Sequence, residues 1–147
     1  MIKLYFLLAI STGIMVGLGV STFFYAKGYA YLSDDPAACK NCHIMNEEYN
    51  SWTKGSHRSV ATCNDCHTPK NFTGKWITKG LNGWNHSYAF TSGDYHYPIQ
   101  INTRNRNIAE ENCRYCHGTL SSMITFHDNE DTKLQCTSCH PNVGHMK

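Results

Sequence analysis

All eight cysteines of the chain fall in four copies of one pattern, C-x-x-C-H. The copies are Cys39-Lys40-Asn41-Cys42-His43, Cys63-Asn64-Asp65-Cys66-His67, Cys113-Arg114-Tyr115-Cys116-His117 and Cys136-Thr137-Ser138-Cys139-His140. Two thiols at this spacing, with a histidine directly after, are the signature of covalent c-type haem attachment: the thiols bond the porphyrin vinyl groups and the imidazole approaches the iron. No cysteine is left for a disulfide or a free nucleophile, so the cysteine count is a cofactor count of four haems.

The pairs Cys39/Cys42 with Cys63/Cys66, and Cys113/Cys116 with Cys136/Cys139, also fit the spacing of a zinc ribbon. A ribbon has no need of a histidine after every second cysteine, whereas haem attachment does, and all four copies have it. A thioredoxin-like role is weaker, because no alternation of strand and helix surrounds any copy. Only the first copy has a methionine, Met45, two residues after its histidine. A thioether ligand raises the potential of haem iron relative to a second imidazole, so this haem is expected to differ from the other three.

About 117 residues follow the first 30, roughly 30 per macrocycle, which is too few for a large side-chain core around each. The haems themselves are expected to form much of the core. The formal net charge of +2 and the low share of charged residues give no surface suited to nucleic acid.

Leu4 to Ala26 carries no charge and is bounded by Lys3 and Lys27. As a helix it is about 34 Å long, enough to cross a hydrocarbon core of about 30 Å. Tyr5, Phe6, Phe23, Phe24 and Tyr25 stand near its ends, where rings favour the interface. The run exceeds a typical cleaved h-region, so residues 1–26 read as an uncleaved transmembrane anchor. Haem attachment follows export, which puts the rest on the periplasmic side of the inner membrane as a single-pass protein, with Lys3 cytoplasmic. Ala9, Gly13, Gly17 and Ser21 form a small-residue stripe that permits a homodimer through this helix. Loss of the segment would instead leave a soluble tetrahaem carrier.

Residues 27–38 read as a linker with turn character at Ser33 to Pro36, and residues 39–147 as the haem domain. The motif spacings suggest two haem pairs, 39–67 and 113–140, separated by an insertion at 68–112. Within it, Ile77, Leu81, Trp84 and Tyr88 recur at helical spacing, so Lys75 to Phe90 is predicted helical. Lys75, Lys79, Asn82 and His86 line a second, polar face. Trp76 and Trp84 beside an anchor point to a helix lying at the membrane interface with its polar groups turned to a site. Asn102 to Asn107 reads as a polar loop. The fold class is mainly α: one transmembrane helix and a small periplasmic multihaem domain with little regular secondary structure and no extended sheet.

Outside the motifs, His57, His86, His96, His127 and His145 are candidate sixth ligands. Met45 completes a C-x-x-C-H-x-M variant, and the chain ends on Cys139-His140-Pro141-Asn142-Val143-Gly144-His145-Met146. With the anchor and the four motif spacings, these features closely resemble the NapC/NrfH-type membrane-anchored multihaem quinol dehydrogenases, in particular the small tetrahaem subunits of cytochrome c nitrite reductases. The resemblance implies that Met45 binds the first iron with His43 displaced, and that the opposite face of that haem is left to a quinol pocket. It further implies that His67, His117 and His140 hold the other irons, that His57 and His145 are distal ligands of two of them, and that one haem borrows a lysine from a partner. Lys75 aligns with the pocket lysine of the family, and Asn82 stands where the family has an aspartate. Lys75, Lys79, His86 and Asp94 then remain as candidate proton acceptors.

The resemblance implies oxidation of a membrane quinol, menaquinol, with electrons passing through four haems to a periplasmic pentahaem nitrite reductase that forms ammonia. Delivery to a nitrate reductase, as in NapC relatives, is the alternative.

Overall fold

The computed structural model describes residues 2–124 and 135–146, so the candidate ligand His127 lies outside the described residues. Eight α-helices occur among the described residues, with no strand. The mainly α expectation holds.

The anchor is a continuous helix, α1 (Ile2–Tyr25), with every described side chain exposed and no residue buried. It is long and apolar enough to cross a membrane. Lys27 leaves the helix in the left-handed region (φ 52°). A 3-10 turn, Gly28–Leu32, then packs between the end of α1 and the helix of the insertion. Asn41, inside the first motif, donates through Nδ2 to the Ala26 carbonyl at 3.1 Å. The first haem-attachment motif is thereby tied to the end of the anchor.

The motif elements are short and capped. In α2 (Pro36–Cys39) Asp35 accepts from the Ala37 N–H and Pro36 occupies the first turn, where its missing N–H costs nothing. After a 3-10 turn, His43–Met45, comes α3 (Asn46–Lys54), then a second such turn, Ser56–Ser59. In α4 (Cys63–His67) Thr62 and Asp65 form a reciprocal capping box.

The insertion helix α5 (Phe72–Ser92) is longer at both ends than its apolar periodicity suggests. Asn71 caps its start on the Gly74 N–H, and Gly93 ends it at φ 71°, a conformation glycine adopts without a Cβ clash. The expected loop at 102–107 is instead the first part of α6 (Thr103–Cys116). Asn102 caps it by accepting from the Asn105 N–H at 2.8 Å. Arginines are good helix formers, but this first stretch has no apolar repeat to reveal it. Two short helices follow, α7 (Gly118–Ile124) and α8 (Cys136–Cys139).

Helix α6 organises the haem domain. Asn112 donates to the carbonyls of Cys66 and Thr68, both at 2.9 Å, fastening the second motif to the third. Glu110 accepts from the backbone N–H groups of Cys136 and Thr137 at 2.7 and 3.0 Å, capping the fourth motif. Among the described residues, Ile108 is the one buried hydrophobic side chain, whereas Thr68, Thr78, Lys79, Glu110 and Asn112 are buried polar groups. The described residues therefore supply almost no apolar core of their own.

Candidate haem sites and quinol pocket

In an α-helix residues three apart share a face, so a helical C-x-x-C presents both thiols to the same side. The second, third and fourth motifs are built this way, with the cysteines inside α4, at the end of α6 and inside α8. The first motif is different. Cys39 closes α2, Cys42 is extended (φ −89°, ψ 122°), and His43 opens the 3-10 turn that carries Met45. His43 is exposed and Met45 is half-buried. The motif that sequence marks as unusual by its methionine is thus also the one with a non-helical backbone.

The attachment thiols follow one another in space as they do in sequence. The Cys39 and Cys63 side chains lie side by side, close enough to affect each other's protonation. Cys113 lies within electrostatic reach of both Cys136 and Cys66, and Cys66 within that of Cys116.

Two histidine pairs face each other. His67 and His145 have ring centres 6.1 Å apart at 35°, and His57 and His117 have centres 6.0 Å apart at 78°. Imidazole nitrogen binds a metal at about 2 Å and the ring centre lies about 1 Å behind it, so two imidazoles on one iron have centres about 6 Å apart. Ordinary ring packing covers the same distances, so orientation has to discriminate. His145 Nδ1 lies 3.0 Å from the Glu48 carbonyl, 3.1 Å from the Glu48 carboxylate and 3.3 Å from Ser51 Oγ. His57 Nδ1 lies 3.3 Å from Ser56 Oγ. Holding a ring by Nδ1 leaves Nε2 for a metal, the usual outer-shell arrangement of a metal-binding histidine. Burial, then the nearby His145, pushes the His67 pKa down to about 4, which keeps it in the neutral form a metal requires. The residues present fit haem at both pairs.

Among the described residues no second imidazole is paired with His140, which is exposed. His96 is exposed in the loop after α5.

Helix α5 is turned inside out relative to a soluble amphipathic helix. Its apolar face is open, with Ile77 59%, Trp84 73% and Tyr88 61% exposed. Its polar face packs on the linker: Lys79 is only 7% exposed. Lys75 Nζ meets Asp34 Oδ2 at 2.5 Å, and Lys79 Nζ meets Asp34 Oδ1 and the Ser33 carbonyl, both at 2.8 Å. Asn64, from the second motif, also donates to Asp34. The hydrogen bond from Lys75, then that from Lys79, pull the Asp34 carboxyl down from 3.8 to about 2. Lys79 acts electrostatically on Cys39, which puts this cluster beside the first motif.

Lys75 and Asn82 thus share a face of α5 but part company. Asn82 Oδ1 accepts from Asn105 Nδ2 of α6 at 3.1 Å, while the carboxylate beside Lys75 is Asp34. In sequence Asp34 reads as a turn residue, because nothing in the linker signals its pairing with residues 41 and 45 positions later. Farther along the same face, Tyr31 Oη lies 2.7 Å from His86 Nδ1. Asp94 sits beyond the end of α5, exposed.

Three comparisons bear on this arrangement. The chain is 40% identical over 146 residues to the cytochrome c-type protein NrfH of Wolinella succinogenes, covering 91% of this chain and 81% of that protein. It is 31% identical over 122 residues to the cytochrome c nitrite reductase subunit NrfH of Nitratidesulfovibrio vulgaris, covering 83% and 74%. Its fold matches a chain in the crystal structure of the cytochrome c nitrite reductase NrfHA complex bound to the HQNO inhibitor, with a TM-score of 0.67, 26% identity, and 95% and 90% coverage. The model of the NapC/NirT cytochrome c family, N-terminal region, matches residues 1–147. With a family match over its whole length, the chain belongs to the NapC/NirT cytochrome c family and is a membrane-anchored cytochrome with covalently bound haem.

Proposed function

We propose that the chain is the quinol-oxidising tetrahaem subunit of a cytochrome c nitrite reductase, passing electrons to a periplasmic pentahaem catalytic subunit that reduces nitrite to ammonia. The observation that carries this reading is α5, whose polar face supplies Lys75, Lys79 and His86 near the first motif while its apolar face stays open, on a helix packed against the turn that follows the anchor. A lipid-soluble donor such as menaquinol would approach along that open face. The NrfH relatives, and the inhibitor-bound nitrite reductase complex whose fold the chain shares, support the same partner.

Four haems are assigned to the four motifs, with the domain on the periplasmic side. Met45 would hold the first iron, His67 with His145 the second, His57 with His117 the third, and His140 the fourth together with a lysine of the partner. When bound, haem accepts single electrons but no protons, so the protein must take the quinol's protons separately. Lys75 would orient a quinol oxygen, with Asp34 fixing its ammonium. Glu48, Ser51 and Ser56 would hold the distal imidazoles in register.

Purification in mild detergent tests the proposal. The expected result is co-purification with a pentahaem nitrite reductase and nitrite reduction driven by a naphthoquinol. A preparation with four haems that oxidises no quinol would overturn it, and one that oxidises quinol but delivers electrons only to nitrate reductase would overturn the assigned partner.

A further inference from the structure

A quinol oxidised beside the first motif must lose two protons, and most nearby groups are poor takers. Asp34 is held as an anion by two ammonium groups, and Lys75 and Lys79 already donate to it. Asp94 lies past the end of α5, with its N–H near Ser92 Oγ. Asn82 is an amide committed to Asn105. His86 remains, on the same face of α5 as the lysines, with its Nδ1 2.7 Å from Tyr31 Oη.

The Tyr31 ring packs against α5 at Gly83, where even a Cβ would meet its carbons at 3.6 to 3.7 Å, in ordinary van der Waals contact. The hydroxyl also lies within electrostatic reach of both thiols of the first motif. Burial, the largest cause, pushes the Tyr31 pKa up. The phenol is therefore protonated and is the donor of the hydrogen bond, which assigns the lone pair to His86 Nδ1 and the ring's own proton to Nε2.

We propose that Tyr31 and His86 form the proton exit of the quinol site, Tyr31 touching the quinol hydroxyl and His86 accepting the proton behind it. This rests on the quinol-oxidising reading above. A quinol O–H bond breaks and its proton goes to Tyr31 Oη. The proton that Tyr31 carried moves to His86 Nδ1, and His86 releases the one on Nε2 to water. Haem held by the first motif would take up the quinol's electron. Each event leaves the imidazole proton on Nδ1, and exchange with water at the exposed ring moves it back to Nε2 so that Tyr31 again donates to Nδ1; two such cycles convert quinol to quinone. Asp34 from the linker, Lys75 and Lys79 from α5 and Arg104 from α6 are the charged groups facing this surface. They leave it net positive, which speeds release from the imidazolium.

The test uses the full-length protein in its complex, with a naphthoquinol as donor. In His86→Gln and in Tyr31→Phe, kcat is expected to fall about 100-fold, the scale of a lost general base, with KM changed less than about threefold. The wild-type rate should decline at low pH as His86 becomes protonated, and this limb should vanish in His86→Gln. In His86→Ala, added imidazole should restore about tenfold. Infrared difference spectra of the wild type with isotope-labelled histidine, recorded on quinol oxidation, should show a transient imidazolium band that Tyr31→Phe lacks. Variants with wild-type rate and pH profile, or a wild type without the band, would overturn the relay; should the variants lose haem, the wild-type spectrum decides alone. A wild type that oxidises no quinol would instead defeat the functional reading itself.

Discussion

His67 and His145 face each other with ring centres 6.1 Å apart, and the carbonyl and carboxylate of Glu48 hold the Nδ1 side of His145. One ring belongs to the second motif and the other to the C-terminal tail, so the fold itself brings a proximal and a distal candidate together. His145→Ala is expected to leave all four haems covalently attached, since the thiols are untouched, while converting one low-spin bis-imidazole signal to high spin. Paramagnetic resonance alongside a denatured haem count checks both halves. An unchanged low-spin spectrum would remove His145 from the second iron.

The near absence of a side-chain core gives a second expectation. With Ile108 as the one buried hydrophobic residue among those described, the polypeptide has little apolar area to offset the entropy of ordering its backbone. A chain with all eight cysteines changed to serine should therefore lack cooperative thermal unfolding and bind hydrophobic dyes. A sharp transition in circular dichroism would show that the chain folds without its macrocycles.

The four attachment motifs are legible in sequence because attachment chemistry demands a contiguous pattern, and the anchor because a membrane demands a contiguous apolar run. The helix of α5 was legible through the spacing of Ile77, Leu81, Trp84 and Tyr88. The start of α6 was hidden, since Asn102 and the arginines that follow signal a loop as readily as a cap. Asp34 and Tyr31 were hidden for another reason: their partners Lys75, Lys79 and His86 lie far along the chain, and no local pattern encodes a pairing made by tertiary packing.

Met45 stands apart in backbone as well as sequence, since its motif alone leaves the helical C-x-x-C form. Met45→Leu should keep four attached haems, lower the potential of one of them and cut quinol oxidation more than about tenfold, because thioether ligation raises haem potential. Lys75→Met should impair quinol oxidation with little change at the other haems. Redox titration and steady-state kinetics on each variant check these outcomes, and normal turnover in Met45→Leu would move the ligand elsewhere.

Acid stability follows from two carboxylates. Asp34 is lowered to about 2 by Lys75 and Lys79. Burial would raise Glu110, but the hydrogen bonds from Thr137 and Cys136 outweigh it, so this carboxyl also lies below its ordinary value. A folded pKa below the unfolded one gives stability that is complete above the unfolded value, near 4, and is lost as pH falls through the folded value. The two carboxylates make the melting temperature drop between about pH 4 and 2, below a decline that begins near pH 6.5 because the unfolded chain protonates His67 while the folded one holds it neutral down to about 4. Asp34→Asn should lower the plateau and flatten that drop, and melting curves across the range test it. Glu110→Gln, which weakens a charge-assisted cap on α8, should cost about 1–3 kcal/mol.

The open face of α5 makes the last expectation the most direct probe of how quinol reaches the site. Trp84 is 73% exposed and Ile77 59%, side chains that cost free energy in water and gain it at a lipid interface. In full-length protein reconstituted into vesicles, brominated lipids should quench part of the tryptophan fluorescence, and Trp84→Phe should remove most of the quenched fraction while Trp52→Phe, whose half-buried ring donates to the Ala61 carbonyl, should not. Trp84→Glu, which puts a charge on that face, should raise KM for a long-chain menaquinol more than for a short water-soluble naphthoquinol, because only the former must enter from the bilayer. Equal effects on the two donors would mean that α5 faces water and that the quinol enters by another route.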